Sequence, residues 1–156
     1  MADHEFRLDD MIGVMTEVMA GGGEFRFYPK GTSMLPLIRQ GRDSIALVSA
    51  HEPLAKYDIP LYIRKNGQFV LHRVMGHDTQ GYIMCGDNQT ALEYGILHDQ
   101  VRGKVCAIYR GDKRIDVTNR GYCLYCRIWC FMPLRKFCFL FRRVGRKLQR
   151  IFTCKK

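Results

Sequence analysis

The sequence predicts a mainly β-fold: an antiparallel, coiled β-barrel or sheet with a helix before it and a basic helical tail after it. Three observations predict this. Short runs of alternating apolar residues recur from residue 25 to residue 117, separated by Gly- and Asp-rich turns. Helices alternating with those runs, which a parallel sheet needs, are missing. Charge divides the chain: residues 1–116 hold all 15 Asp/Glu against 14 Lys/Arg, a net of −1, whereas residues 117–156 hold 11 Lys/Arg and no acid. The expected organisation is therefore a helix and glycine linker over 1–23, a β-domain over 24–118, and a cationic, Cys- and aromatic-rich helical tail over 119–156.

Taken in order, Phe6, Leu8, Met11, Ile12, Met15, Val18 and Met19 stand at helical spacings, so residues 5–20 read as a helix that Gly21-Gly22-Gly23 stops. A methionine stripe of this kind suits a core or a docking face. From Phe25 the period changes to two. Phe25–Tyr28, Asp43–Ala50, Ile59–Arg64, Phe69–Met75, Gly81–Cys85, Val101–Arg110 and Arg114–Val117 read as about seven strands. Asn66-Gly67 is the strongest hairpin signal. In the tail, Pro133 is expected to separate Tyr122–Met132 from Leu134–Phe152. Leu134, Phe137, Phe141, Val144, Leu148 and Ile151 form an apolar stripe in the second piece, with Arg and Lys between.

At most eight consecutive residues lack Asp, Glu, Lys and Arg, so no spanning helix of about 18–20 apolar residues is expected. The acidic start (Asp3, Glu5, Asp9, Asp10) is unlike a secretory signal, so the chain is expected in the cytoplasm, with its basic tail peripheral at the inner membrane face. Seven cysteines, five of them in the tail, are expected as reduced, mostly buried thiols; Cys123-x-x-Cys126 lacks the second half of a zinc site.

Three features bear on chemistry. Gly31-Thr32-Ser33-Met34-Leu35-Pro36 is a Gly/Pro-bounded turn that exposes a serine and points backbone N–H groups into one space, as an oxyanion hole requires. In Val70-Leu71-His72-Arg73-Val74, alternation puts His72 on the inward face with Val70 and Val74, where an imidazole is desolvated and neutral. Gly86-Asp87-Asn88 follows a strand, with Glu93 six residues beyond Asp87. Each alone is an ordinary turn, core or loop feature.

As an ordered set over residues 24–110 these boxes resemble the type I signal peptidases and the wider group of Ser-dyad peptidases. Tyr57-Asp58-Ile59 resembles the family's Gly-Asp-hydrophobic box with Tyr57 in place of glycine, and Val101-Arg102-Gly103-Lys104-Val105 resembles its closing strand. His72 stands where most bacterial members carry lysine, the pattern of the endoplasmic-reticulum and archaeal type. The resemblance implies a serine endopeptidase in which Ser33 attacks and His72 is the base. Glu93 would orient the imidazole, with Asp87 as the alternative acid. It further implies an oxyanion site over Thr32, Ser33 and Met34, and Gly31 occupies the place where many members carry a hydroxyl donor. No metal or other cofactor is expected. Since the family's membrane anchor is not found here, the implied work is trimming a peptide or leader rather than cleaving exported preproteins.

The expected partners are a peptide or preprotein substrate and an anionic membrane surface met by residues 134–152, at about 1 kcal/mol per Lys/Arg near the lipid. Nucleic acid is not expected, because the charges lie opposite a continuous apolar stripe and no base-reading motif accompanies them. A non-catalytic peptide-binding module at a membrane is the alternative function. A self-cleaving repressor fits poorly, since residues 1–24 have room for one helix only.

Overall fold

The structure, a computed structural model, describes residues 8–141; the readings made above for residues 1–7 and 142–156, including Phe6, Val144, Leu148 and Ile151, lie outside them. Helix α1 (Leu8–Ala20) turns Met15 and Met19 into the core and leaves Val14 exposed. It ends as the spacing predicts: Gly21, Gly22 and Gly23 donate their N–H groups back to Glu17, Met19 and Val18. The methionine stripe is core.

Among the described residues nine strands follow: β1 (Phe25–Phe27), β2 (Asp43–Val48), β3 (Pro60–Ile63), β4 (Phe69–Leu71), β5 (Arg73–Asp78), β6 (Gly81–Cys85), β7 (Glu93–Ile96), β8 (Val101–Arg110) and β9 (Lys113–Asp116). They form two antiparallel sheets. The first runs β1-β2-β8-β3-β4 with β9 also paired to β8; the second runs β5-β6-β7. Strand β8 carries the first sheet because it is long enough to pair β2 on one side and both β3 and β9 on the other. No barrel closes: each sheet keeps its own ends.

Two strand expectations need correcting. The run 69–75 is not one strand: β4 pairs β3 in the first sheet, β5 pairs β6 in the second, and His72 is the residue between them. Strand β7 was not expected at all, because Glu93-Tyr94-Gly95-Ile96 is short and carries a glycine at φ +73°. Two apolar clusters form, and the second spans both sheets, taking Tyr62 and Val70 from the first. One joins Met15, Met34, Ile45, Leu61 and Ile108; the other joins Tyr62, Val70, Val74, Tyr82 and Met84.

Helix α2 (Arg120–Trp129) is capped by the Asn119 side chain, which accepts from the Gly121 N–H at 2.8 Å. It gives Tyr122 and Cys126 to the first cluster, and Cys130 just after it does the same. Helix α3 (132–141) runs to the end of the described residues. The break between the two lies at 130–131, ahead of the position expected. Pro133 sits in the first turn of α3, where a missing N–H costs no helical hydrogen bond.

Among the described cysteines, Cys85, Cys126 and Cys130 are buried and all are free thiols. Among the described residues, no helix is long and apolar enough to cross a membrane, and no group of three or more His, Cys, Asp and Glu is placed to hold a metal.

Candidate active site

Ser33 lies in the loop between β1 and β2, where residues 33–37 form a tight turn. Leu35 N–H donates to the Thr32 carbonyl at 3.2 Å and Ile38 N–H to the Met34 carbonyl at 2.9 Å. The Met34 side chain enters the first core cluster and fixes the loop from below, while Thr32 is exposed and Ser33 half-buried. Gly31 has φ +99° and donates its N–H to Gln40 Oε1 at 2.7 Å. A side chain there would be strained, which accounts for the absence of a hydroxyl two residues before the serine. Among the described residues, the N–H groups of Thr32, Ser33 and Met34 meet no acceptor.

The Gly86-Asp87-Asn88 segment is seated directly on this loop. Asn88 N–H donates to the Ser33 carbonyl at 2.7 Å, and a Cβ at position 86 would stand 2.7 Å from the same oxygen. Only glycine permits that approach. Behind it, Asp87 is 0% exposed and bonded bidentately by Arg73, itself 0% exposed, at 2.8 and 2.7 Å. Arg73 also donates to the Tyr57 carbonyl, the Tyr122 hydroxyl and Cys126 Sγ. Burial works against the Arg73 charge, but the hydrogen bonds and charge of Asp87 outweigh it and hold its pKa above the ordinary arginine value. Tyr57, the residue in the glycine place of its box, has φ +79°, so it adopts the conformation a glycine would.

His72, 5% exposed, sits at the junction of the two sheets. Tyr62 on β3 lies opposite Val70 on β4, so it shares the face of Val70 and His72. The Tyr62 hydroxyl donates to Glu93 Oε2 at 2.7 Å and stands 3.3 Å from His72 Nδ1. A hydroxyl has one proton, and Glu93 takes it. The His72 contact is therefore an Nδ1–H donated to the Tyr62 oxygen, which leaves Nε2 as the basic nitrogen. Glu93 Oε2 itself is 3.8 Å from Nδ1. Arg64 holds Glu93 bidentately at 2.7 and 2.6 Å, and these bonds set its carboxyl below the ordinary glutamate pKa.

Burial lowers the His72 pKa to about 4. The nearby Glu93 charge acts in the opposite direction and loses, since Arg64 already neutralises that carboxylate. The unfolded chain thus binds a proton on this group near pH 6.5 that the folded chain refuses until about pH 4. The contribution of His72 to stability is therefore full above pH 6.5 and is lost as pH falls towards 4. Between pH 7 and pH 4.5 wild type should lose roughly 2 kcal/mol more than His72→Asn in urea unfolding. Equal losses would show that His72 is not held neutral.

Ser33 and His72 line one cavity of about 430 Å3, together with Thr32, Met34, Arg64 and Asn88. No hydrogen bond joins the Ser33 hydroxyl to His72 among the described residues. Glu93 is outside the cavity lining and reaches His72 from behind, through Tyr62. Asp87 is committed to Arg73. No local pattern marks Tyr62 or Arg64, and the spacing that assigns Arg135 to the charged side of a basic helix is corrected by its complete burial. Arg135 of α3 is 0% exposed and donates to the carbonyls of Trp129, Gly86 and Gln89. The hairpin signal at Asn66-Gly67 implies that β3 lies beside the histidine strand, but not that Tyr62 faces His72. Comparison of the chain with family models, with curated proteins and with solved structures gave no match.

Proposed function

We propose that this chain is a serine endopeptidase of the signal-peptidase kind, which cleaves a peptide or protein leader with Ser33 as nucleophile and His72 as general base. That its two-sheet body is a variant of that family's fold belongs to the same proposal. The observation that carries the reading is the pairing, in one cavity, of a serine flanked by unengaged N–H groups with a buried, neutral imidazole whose Nδ1 is occupied.

In this reading the Ser33 hydroxyl attacks the scissile carbonyl while His72 Nε2 accepts its proton. The carbonyl oxygen, now an anion, takes hydrogen bonds from N–H groups at Thr32, Ser33 and Met34. His72 returns the proton to the leaving amine, then draws one from the water that hydrolyses the acyl-enzyme. Tyr62 and Glu93 act as positioning residues: they keep Nδ1 protonated and stabilise the imidazolium when it forms. The serine and histidine make no hydrogen bond among the described residues, and in this reading substrate binding closes that gap.

The test compares wild type, Ser33→Ala and His72→Ala on a diverse peptide mixture, with new termini read by mass spectrometry. Termini should form with wild type and fall by a factor on the order of 10³ or more in both variants. Peptides captured equally by all three proteins without cleavage would instead identify a non-catalytic peptide-binding module.

A further inference from the structure

The C-terminal helices present large apolar side chains to solvent in a way the peptidase reading leaves unused. On α2, Leu124 and Ile128 are exposed, and Phe131 continues the i, i+4, i+7 stripe just beyond its end. On α3, Phe137, Leu140 and Phe141 are exposed, with the Phe137 and Phe141 rings 4.6 Å apart. These six residues are 51–63% exposed. Each helix thus carries large apolar side chains exposed at helical spacing, the pattern of an interaction surface. The helices that carry it are fixed to the body. Tyr122, Cys126 and Cys130 are in the core, and Arg135 is buried against the Gly86–Gln89 segment that seats Ser33. The stripe therefore has a set orientation relative to the cavity.

Charge identifies the occupant. Arg120, Arg127 and Lys136 are exposed on the same two helices, and seven more Lys/Arg follow between 142 and 156. The last acidic residue of the chain is Asp116. A surface apolar along one stripe, cationic beside it and without a single carboxylate matches a layer that is apolar within and anionic at its face. A partner protein would need an acidic groove running along both helices, whereas an anionic leaflet offers one sign of charge over its whole face. We propose that residues 120–141 form a docking surface for an anionic lipid membrane, lying in its plane. Docking here would hold the catalytic loop at a fixed height over the lipid through Arg135. The inference stands apart from the peptidase reading, since binding needs neither Ser33 nor His72.

The experiment is co-sedimentation of the full chain with vesicles of phosphatidylcholine alone and of phosphatidylcholine mixed with phosphatidylglycerol. Wild type and Ser33→Ala should bind the anionic vesicles alike, at least about tenfold more tightly than the neutral ones, and less as salt rises. The doubly substituted Phe137→Glu, Phe141→Glu chain should lose that binding by about tenfold or more while keeping the wild-type circular dichroism spectrum. Should it fail to fold, Leu124→Glu tests the same stripe from α2. Equal partition of wild type to both vesicle types, or anionic binding untouched by the glutamates, would overturn the proposal. So would a concentration-dependent dimer that the glutamates dissolve, or binding to duplex DNA with none to vesicles. Because Ser33→Ala is included, loss of cleavage and loss of docking are read separately.

Discussion

Asp87→Ala is expected to destabilise the fold by about 3–5 kcal/mol, because it strands the Arg73 guanidinium in a site that water does not reach. The loss is not confined to one pair. The Asp87 carboxylate also accepts from the Tyr125 hydroxyl at 3.1 Å, and Arg135 Nη2 stands 3.8 Å from Oδ1. Among the described residues that Nη2 is buried without a hydrogen-bond partner, and the Asp87 charge faces it. With Asp87 gone, two buried cations remain side by side. Urea unfolding measures this directly, a lower midpoint at unchanged slope being the expected form. Glu93→Gln, which alters a carboxylate 26% exposed, should cost far less. An Asp87→Ala chain within 1 kcal/mol of wild type, on the order of an exposed pair, would mean that the centre does not carry the load described.

The second large effect concerns Tyr62. If His72 is the base, Tyr62→Phe should lower kcat by roughly 10²–10³ with little change in KM, since the phenyl ring keeps the packing but leaves Nδ1–H without its acceptor. Glu93→Gln should lower kcat in the same range and shift the acid limb of the kcat/KM profile. Wild type is expected to hold its rate from pH 7 to about pH 5 and lose it as His72 protonates near 4. Removing the Glu93 charge withdraws what raises that pKa and frees Arg64 to lower it further, so the limb moves to lower pH. A limb that stays in place, or a defect in KM alone, would show that Glu93 and Tyr62 shape the cavity without positioning the imidazole.

These two predictions depend unequally on what the chain displays. The box residues Ser33, His72 and Asp87 are visible in the sequence because each stands in a local pattern: a Gly/Pro-bounded turn, an alternating strand, a Gly-Asp-Asn turn. Glu93 is visible only through the resemblance to signal peptidases, and its strand was not expected. Tyr62 and Arg135 carry no local mark. A tyrosine in an apolar run and an arginine in a basic helix are indistinguishable from core and solvated face until their neighbours are known.

The sequence by itself determined the N-terminal helix and its glycine stop, most strand positions, the hairpin at Asn66-Gly67 and the concentration of positive charge at one end. All of these depend on residues a few positions apart. The tertiary structure alone decided the hairpin register. A two-residue turn at Asn66-Gly67 would set Tyr62 opposite Leu71, facing away from His72. The observed loop spans Lys65–Gly67, with Gly67 at φ +81° donating to the Arg64 carbonyl, and sets Tyr62 opposite Val70. Strand side chains alternate, so that single residue of turn length reverses which face every following side chain takes. It also settles which carboxylate reaches His72: Tyr62 brings Glu93 across from β7, a strand of the other sheet, while Asp87 is taken by Arg73. Contacts between segments this far apart are chosen by packing and by the pairing of buried charge, and nothing local to either segment encodes them.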